Sequence, residues 1–224
     1  MPTPTAATLA SSVQGLALRV TALNSDGTAV TGTSSAYTMN RFVTAQFTPV
    51  YAGSNNIRQQ LANGNFAVTF QTSDVFQSIN VTLHIAGPDP QFNQIAVGGT
   101  ILTDVGGAVV GWKPTATGAL DQPNGVALEI WSYAISGSRP ATDYPYYHWM
   151  LPRTFLHPSD NMVVENNVMA WNATGWGNDN PNFAGTGVGR AVNAANGWAY
   201  STDRPYQYAR VTSAPINVNG YEVV

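Results

Sequence analysis

Cysteine is absent from this 224-residue chain. That excludes disulfides, thiolate catalysis and cysteine-ligated zinc together. Charge is scarce as well. Asp, Glu, Lys and Arg make up 9% of the residues, against about a quarter in an ordinary soluble domain. Lys113 is the single lysine, and the arginines are scattered at Arg19, Arg41, Arg58, Arg139, Arg153, Arg190, Arg204 and Arg210. A nucleic-acid clamp needs clustered cations, so this distribution speaks against one. No run of 18 apolar residues offers a membrane-crossing helix. The opening MPTPTAATLASSVQG lacks both the basic region and the apolar stretch of a signal peptide.

The chain does have apolar residues (44%) and a wealth of Asn, Thr, Ser and Gly. The first supply a core, and the second favour turns and strand surfaces over long helices. A surface with this little charge implies that much of it faces other protein.

Period-two alternation recurs along the sequence. It marks strands at GLALRVTAL (15–23), MNRFVTAQFTPVY (39–51), FAVTFQTS (66–73), QSINVTLHIA (77–86) and VALEIWSYAI (126–135). TILTDVGGAVVGW (100–112) reads as a strand pair around Gly106-Gly107, and YYHWMLPRTFLHP (146–158) as an aromatic strand cut by Pro152 and Pro158. The segment 161–177 reads as a strand and 178–198 as a loop. The polar stretch 52–65 reads as a long hairpin loop.

One short helix interrupts this series. In GPDPQFNQIAVGG, Asp89 is placed to cap it and Pro90 suits its first position. Phe92, Ile95 and Ala96 share a helical face, and Gly98 is placed to end it in the left-handed region. The expectation is a mainly β fold, a β-sandwich or barrel of two packed antiparallel sheets flanked by one short α-helix at about 89–97. A long inter-strand loop and extended termini complete it. Residues 1–14 form an N-terminal arm, 15–204 a single domain and 205–224 a C-terminal arm.

Chemistry-bearing residues do not converge in the sequence. His84, His148 and His157 have no partner at helical metal spacing. Glu129, Glu165 and Glu222 are the only glutamates, and Glu129 reads as the polar face of a strand. GTGVG (185–189) follows no strand and carries no Lys-Ser or Lys-Thr, so it is a loop and not a phosphate cradle. No catalytic residue, cofactor or metal is expected, and the chain is read as non-enzymatic. Six tryptophans (Trp112, Trp131, Trp149, Trp171, Trp176, Trp198) offer sugar platforms in one reading, and core or interface packing in the other.

The order of motifs carries a resemblance. Asp89-Pro90 opens a helix after a strand, and Gly98-Gly99, Asp104, Gly107 and Val110-Gly111 follow. Then come Glu129-Ile130-Trp131, Trp149, Pro152-Arg153 and the run from Gly175 to Phe183. This series, covering roughly residues 40–185, resembles the major tail tube proteins of long-tailed bacteriophages with non-contractile tails.

The resemblance implies a structural virion protein located in the tail and assembled in the host cytoplasm. Subunits form hexameric rings that stack into a tube, and DNA passes through without specific binding. Partners are the chain itself and other tail proteins: tape measure, tail tip and terminator. The loop 51–66 reaches an adjacent ring. Independently of the resemblance, flexible arms at 1–14 and 205–224 are expected to order on stacking and so delay polymerisation. Inter-subunit contacts are expected at Tyr51, Asn55, Asn56, Ile57, Arg58, Gln59, Gln60, Tyr206 and Tyr208. The alternative is a β-sandwich decoration or carbohydrate-binding module that uses exposed tryptophans.

Overall fold

The computed structural model describes residues 10–53, 56–159, 170–183, 204–215 and 219–222. The fold is mainly β with one short helix, as the periodicity predicts. In chain order the elements are β1 (Ser11–Ala22), β2 (Ala36–Met39), β3 (Phe42–Ala52), β4 (Asn56–Gln60), β5 (Phe66–Gln71) and β6 (Val75–Ala86). Then follow α1 (Pro90–Ala96), β7 (Thr100–Thr103), β8 (Val109–Lys113), β9 (Val126–Ser136) and β10 (Arg139–Pro140). The last are β11 (Tyr146–Pro158), β12 (Ala170–Asn178), β13 (Gln207–Val211) and β14 (Gly220–Glu222).

The main sheet runs in the order β14-β2-β1-β9-β11-β12-β6-β3, with β10 beside β9 and β13 beside β11. All its pairings are antiparallel. β4–β5 and β7–β8 are separate two-stranded ribbons. The sheet curls, so that its two halves and α1 share one core. Leu18, Val20 and Leu128 from one half meet Val81, Leu83 and Trp171 from the other. Phe92 of α1 lies edge-on to Trp171, ring centroids 5.7 Å apart.

The curl stops short of a closed barrel. β3 and β1 approach where the Phe42 ring covers Gly15, a site with no room for a Cβ, but no ladder joins them. Register shifts in β1 around Gly15, and between Phe42 and Thr44 in β3, bend both strands at this seam.

The helix follows its sequence signals. Asp89 accepts hydrogen bonds from the Gln91 and Phe92 amides at 3.0 and 3.1 Å, and Pro90 occupies the first turn. Seven residues make a helix too short to persist alone, so it is held at both sides. Tyr37 donates to Asp89 (2.8 Å) and Tyr221 donates to Gln94 (3.0 Å). Gly98 takes φ +86°, as expected.

Three segments differ from the expectation. Residues 56–60 lie in the stretch read as a loop but form β4, which pairs with β5. Ser11–Gln14, placed with the N-terminal arm, belong to β1. β13 and β14, placed in the C-terminal arm, are already paired with β11 and β2 of the same chain. In each case another strand supplies the ladder: β5 for β4, β9 for Ser11–Val13, and β11 and β2 for the C-terminal strands. Most of 161–177 and of the 178–198 loop, including 161–169 and 184–198, lies outside the described residues, as do Glu165, GTGVG (185–189) and Trp198.

Candidate assembly surface

Among the described residues β3 is an edge strand, eleven residues long and hydrogen-bonded only to β6. Its sequence, FVTAQFTPVYA, contains no charge. Natural edge strands are blunted by charge, shortness or cover. β3 is neither charged nor short, and among the described residues nothing covers it; Pro49 and the register shifts near its two ends, Phe42/Thr44 and Val50/Tyr51, are the interruptions it carries. Val43 and Tyr51 on it are 68% and 57% exposed.

The β3–β6 hairpin leads into the β4–β5 ribbon. Alternation puts Phe66, Val68 and Phe70 on one face of β5, and Ile57 stands opposite Phe70 on β4. These four side chains are 45–57% exposed. Thr69 and Gln71 take the other face with Ala67. A two-stranded ribbon has no second layer against which to bury such a stripe. β7–β8 ends in a similar apolar tip, with Leu102, Val105 and Val110 exposed; there Asp104 accepts from the Ala108 amide (2.8 Å) and Gly107 takes φ +83°.

The residues expected at subunit contacts fall into three places. Ile57, Arg58, Gln59 and Gln60 lie on β4, with the Arg58 guanidinium 5.9 Å from the Phe66 ring centre and Gln60 donating to the Gly64 carbonyl (2.9 Å). Asn56 begins that strand, and Asn55 lies outside the described residues. Tyr51 and Tyr206 both meet Phe76, at ring distances of 5.4 and 6.2 Å. They line a cleft of about 610 Å³ at the foot of the ribbon, together with Asp179 and Arg204. Tyr208 is elsewhere, stacked on Trp149 at 4.6 Å. The apolar face of β5 was missed by the sequence reading, although the alternation FAVTF announces it.

The sequence reading also missed a buried polar cluster. Glu129 is 1% exposed, not on a solvated face. Its Oε2 accepts from Arg19 Nε at 2.8 Å and lies 2.6 Å from Nη2 in an ion pair, and its Oε1 meets His148 Nε2 at 3.0 Å. Arg19 also reaches Glu222 of β14 at 3.1 Å. Trp131 stacks on His148 (4.4 Å) and lies under the guanidinium (4.9 Å). Burial pushes the Glu129 carboxyl up, but Arg19 and the His148 hydrogen bond outweigh it and hold the group below the usual range. The arrangement ties β1, β9, β11 and β14 together.

The motif residues play similar structural parts. Buried Asn180 donates to the Gly27 and Pro152 carbonyls (2.8 and 3.2 Å), and Asn182 donates to Asp26 (2.6 Å), fastening the turn after β1. Arg153 donates to the Asn124 carbonyl (3.1 Å). Gly175 lies so close to the Phe155 carbonyl that any side chain would collide with it. Among the tryptophans, Trp131 and Trp171 are buried, while Trp112 and Trp149 are half-buried. Trp176 is exposed, but one face is stacked on Phe155 at 4.4 Å. Among the described residues, no three His, Cys, Asp or Glu side chains gather as metal ligands.

No family model matches this chain, and no curated protein does. Solved structures similar to it include the following two. One is the tube-terminating cap of the anti-feeding prophage, 12% identical, covering 86% of this chain and 87% of that one, with a TM-score of 0.33. The other is the sheath-tube complex of the PVC extracellular contractile injection system in its extended state. It is 14% identical and covers 71% of this chain and 82% of that one, with a TM-score of 0.31. Likeness at this level places no residue in either assembly.

Proposed function

We propose that this chain is a self-assembling structural subunit of a phage-tail-like tube, not an enzyme. The observation that carries the reading is the uncharged free edge of β3 running into the one-sided apolar ribbon β4–β5. Both are hazards for a solitary molecule and joints for a polymer, in which neighbours satisfy the strand's N–H and C=O groups and cover its apolar face. The motif series from Asp89 to Phe183 agrees in implying a tail tube.

In this reading copies join side by side into hexameric rings. The β4–β5 ribbon reaches the next ring, and other tail proteins close the two ends of the tube. DNA passes through the lumen. One lysine and dispersed arginines suit that task, because each retained phosphate would slow sliding. Negative-stain microscopy of concentrated protein tests the proposal. Rings or tubes with a central channel support it; isolated particles at every concentration refute it.

A further inference from the structure

β14 is the last described strand, and its consecutive side chains grip opposite faces of the sheet edge. Tyr221 turns to the helix side. Its ring lies edge-on to Tyr37 at 5.5 Å, and its hydroxyl donates to Gln94 in the last turn of α1 at 3.0 Å. Glu222 turns to the other side and reaches Arg19 Nη1 at 3.1 Å. The backbone of β14 pairs with β2 in the register Gly220–Thr38, Tyr221–Tyr37 and Glu222–Ala36. Asn219 fixes the approach. Its amide donates to the Thr38 carbonyl (2.7 Å), and its Oδ1 accepts from the Asn40 amide (3.3 Å).

This grip is specific but shallow. Among the described residues β14 has no ladder besides the one to β2, which is itself four residues long. Gly220, Tyr221 and Glu222 are each half-buried, and every fully buried member of the main core comes from another element. Losing β14 uncovers the core at Tyr37 but takes no member from it. Segments held this way open at a lower free energy than the whole fold. Charge does not forbid the opening. A buried guanidinium with one carboxylate would be stranded on losing it. Arg19 has two. When Glu222 leaves, Nε still donates to Glu129 at 2.8 Å and Nη2 keeps its ion pair at 2.6 Å. The partner that leaves is the one already 17% exposed.

We propose that β14 is a strap that opens and closes while the rest of the sheet stays folded. Closed, it clamps α1 at Gln94, opposite the Tyr37–Asp89 bond at the helix start, and covers Tyr37. Open, it frees that end of α1 and bares a site on β2 that takes one extended segment, the chain's own Asn-Gly-Tyr-Glu. The site reads an aromatic residue on the Tyr37–Gln94 face and then an acid beside Arg19. The strap belongs to the single chain and does not depend on whether copies associate.

Native-state carboxypeptidase digestion of the dilute, full-length protein tests it, read by mass spectrometry. Glu222 and Tyr221 come off only from molecules whose strap is open. Both should be lost much faster than the whole fold opens, which amide exchange in β9 reports, and the circular dichroism of the trimmed product should be unchanged. Gln94→Ala removes the Tyr221 partner without altering the digested sequence, and trimming should quicken about fivefold. A peptide of residues 217–224 should bind the trimmed product, while the same peptide carrying Tyr221→Ala and Glu222→Ala should not. Trimming that waits for global unfolding, a Gln94→Ala rate equal to that of the unaltered chain, or a trimmed product that unfolds would each overturn the strap. A folded product that binds neither peptide, or both alike, would overturn the recognition of Tyr-Glu.

Discussion

Arg19 and Glu129 stand directly opposite each other on β1 and β9, and their side chains meet at 2.6 Å with 2% and 1% of their surface exposed. A charge pair this deeply buried is costly to assemble and costlier to break. Replacing Glu129 by Gln leaves Arg19 with Glu222 alone and His148 without its carboxylate. We expect a loss of about 3–5 kcal/mol in unfolding free energy, read from urea denaturation. Arg19→Met combined with Glu129→Leu should lose less than the sum of the two single changes, because neither charge is left without the other.

The same cluster gives stability a defined pH dependence. The folded Glu129 carboxyl titrates below its ordinary value of 4.5. Its contribution is therefore complete above that value and disappears as pH falls through the lower, folded one. Denaturation midpoints of the unaltered chain should drop steeply on acidification through the carboxylate range. The Glu129→Gln variant, weaker at neutral pH, should show a shallower slope. Equal slopes would mean that other carboxylates carry the effect.

Gly15 makes a third test. The Phe42 ring occupies the place a Cβ would take, so Gly15→Ala forces the ring or β1 to move. Overpacking of this kind costs about 1–3 kcal/mol. The loss should appear as a lower melting temperature, and Phe42→Leu in the same chain should recover part of it. Gly15→Ala without any change in stability would mean that the seam is looser than described.

The helix was legible in the sequence because its signals are local. Asp89, Pro90 and Gly98 act within a turn of themselves, and the structure places each where its chemistry predicts. Asp89→Ala removes the carboxylate oxygen that accepts from two amides and the one that accepts from the Tyr37 hydroxyl. The expected cost is about 1–2 kcal/mol, measured by denaturation.

What the sequence concealed is nonlocal. Alternation along VALEIWSYAI shows that Glu129 shares a face with Trp131, but not that Arg19, 110 positions earlier, comes to meet it. The polar residues of β4 resemble a loop until Phe66, Val68 and Phe70 supply a partner strand. Tyr51 and Tyr206 come together at Phe76 through folding alone, and Tyr208 separates from them because β13 lays it on Trp149.

Phe66→Ser with Phe70→Ser removes the exposed apolar face of β5 without touching the core. Both side chains are more than half exposed, so the melting temperature of the dilute protein should stay nearly unchanged. Association at high concentration should weaken by at least tenfold, seen by light scattering. A fall in stability with association intact would instead assign the ribbon a role inside the single chain.

Amide hydrogen exchange, compared between dilute and concentrated protein, tests most directly whether copies of this chain complete one another. The N–H groups on the free edge of β3 lack partners within the described chain. If neighbours supply them, exchange across residues 42–52 slows strongly on concentration, while the core strand β9 changes little. Exchange across 42–52 that is equally fast at both concentrations would contradict the account.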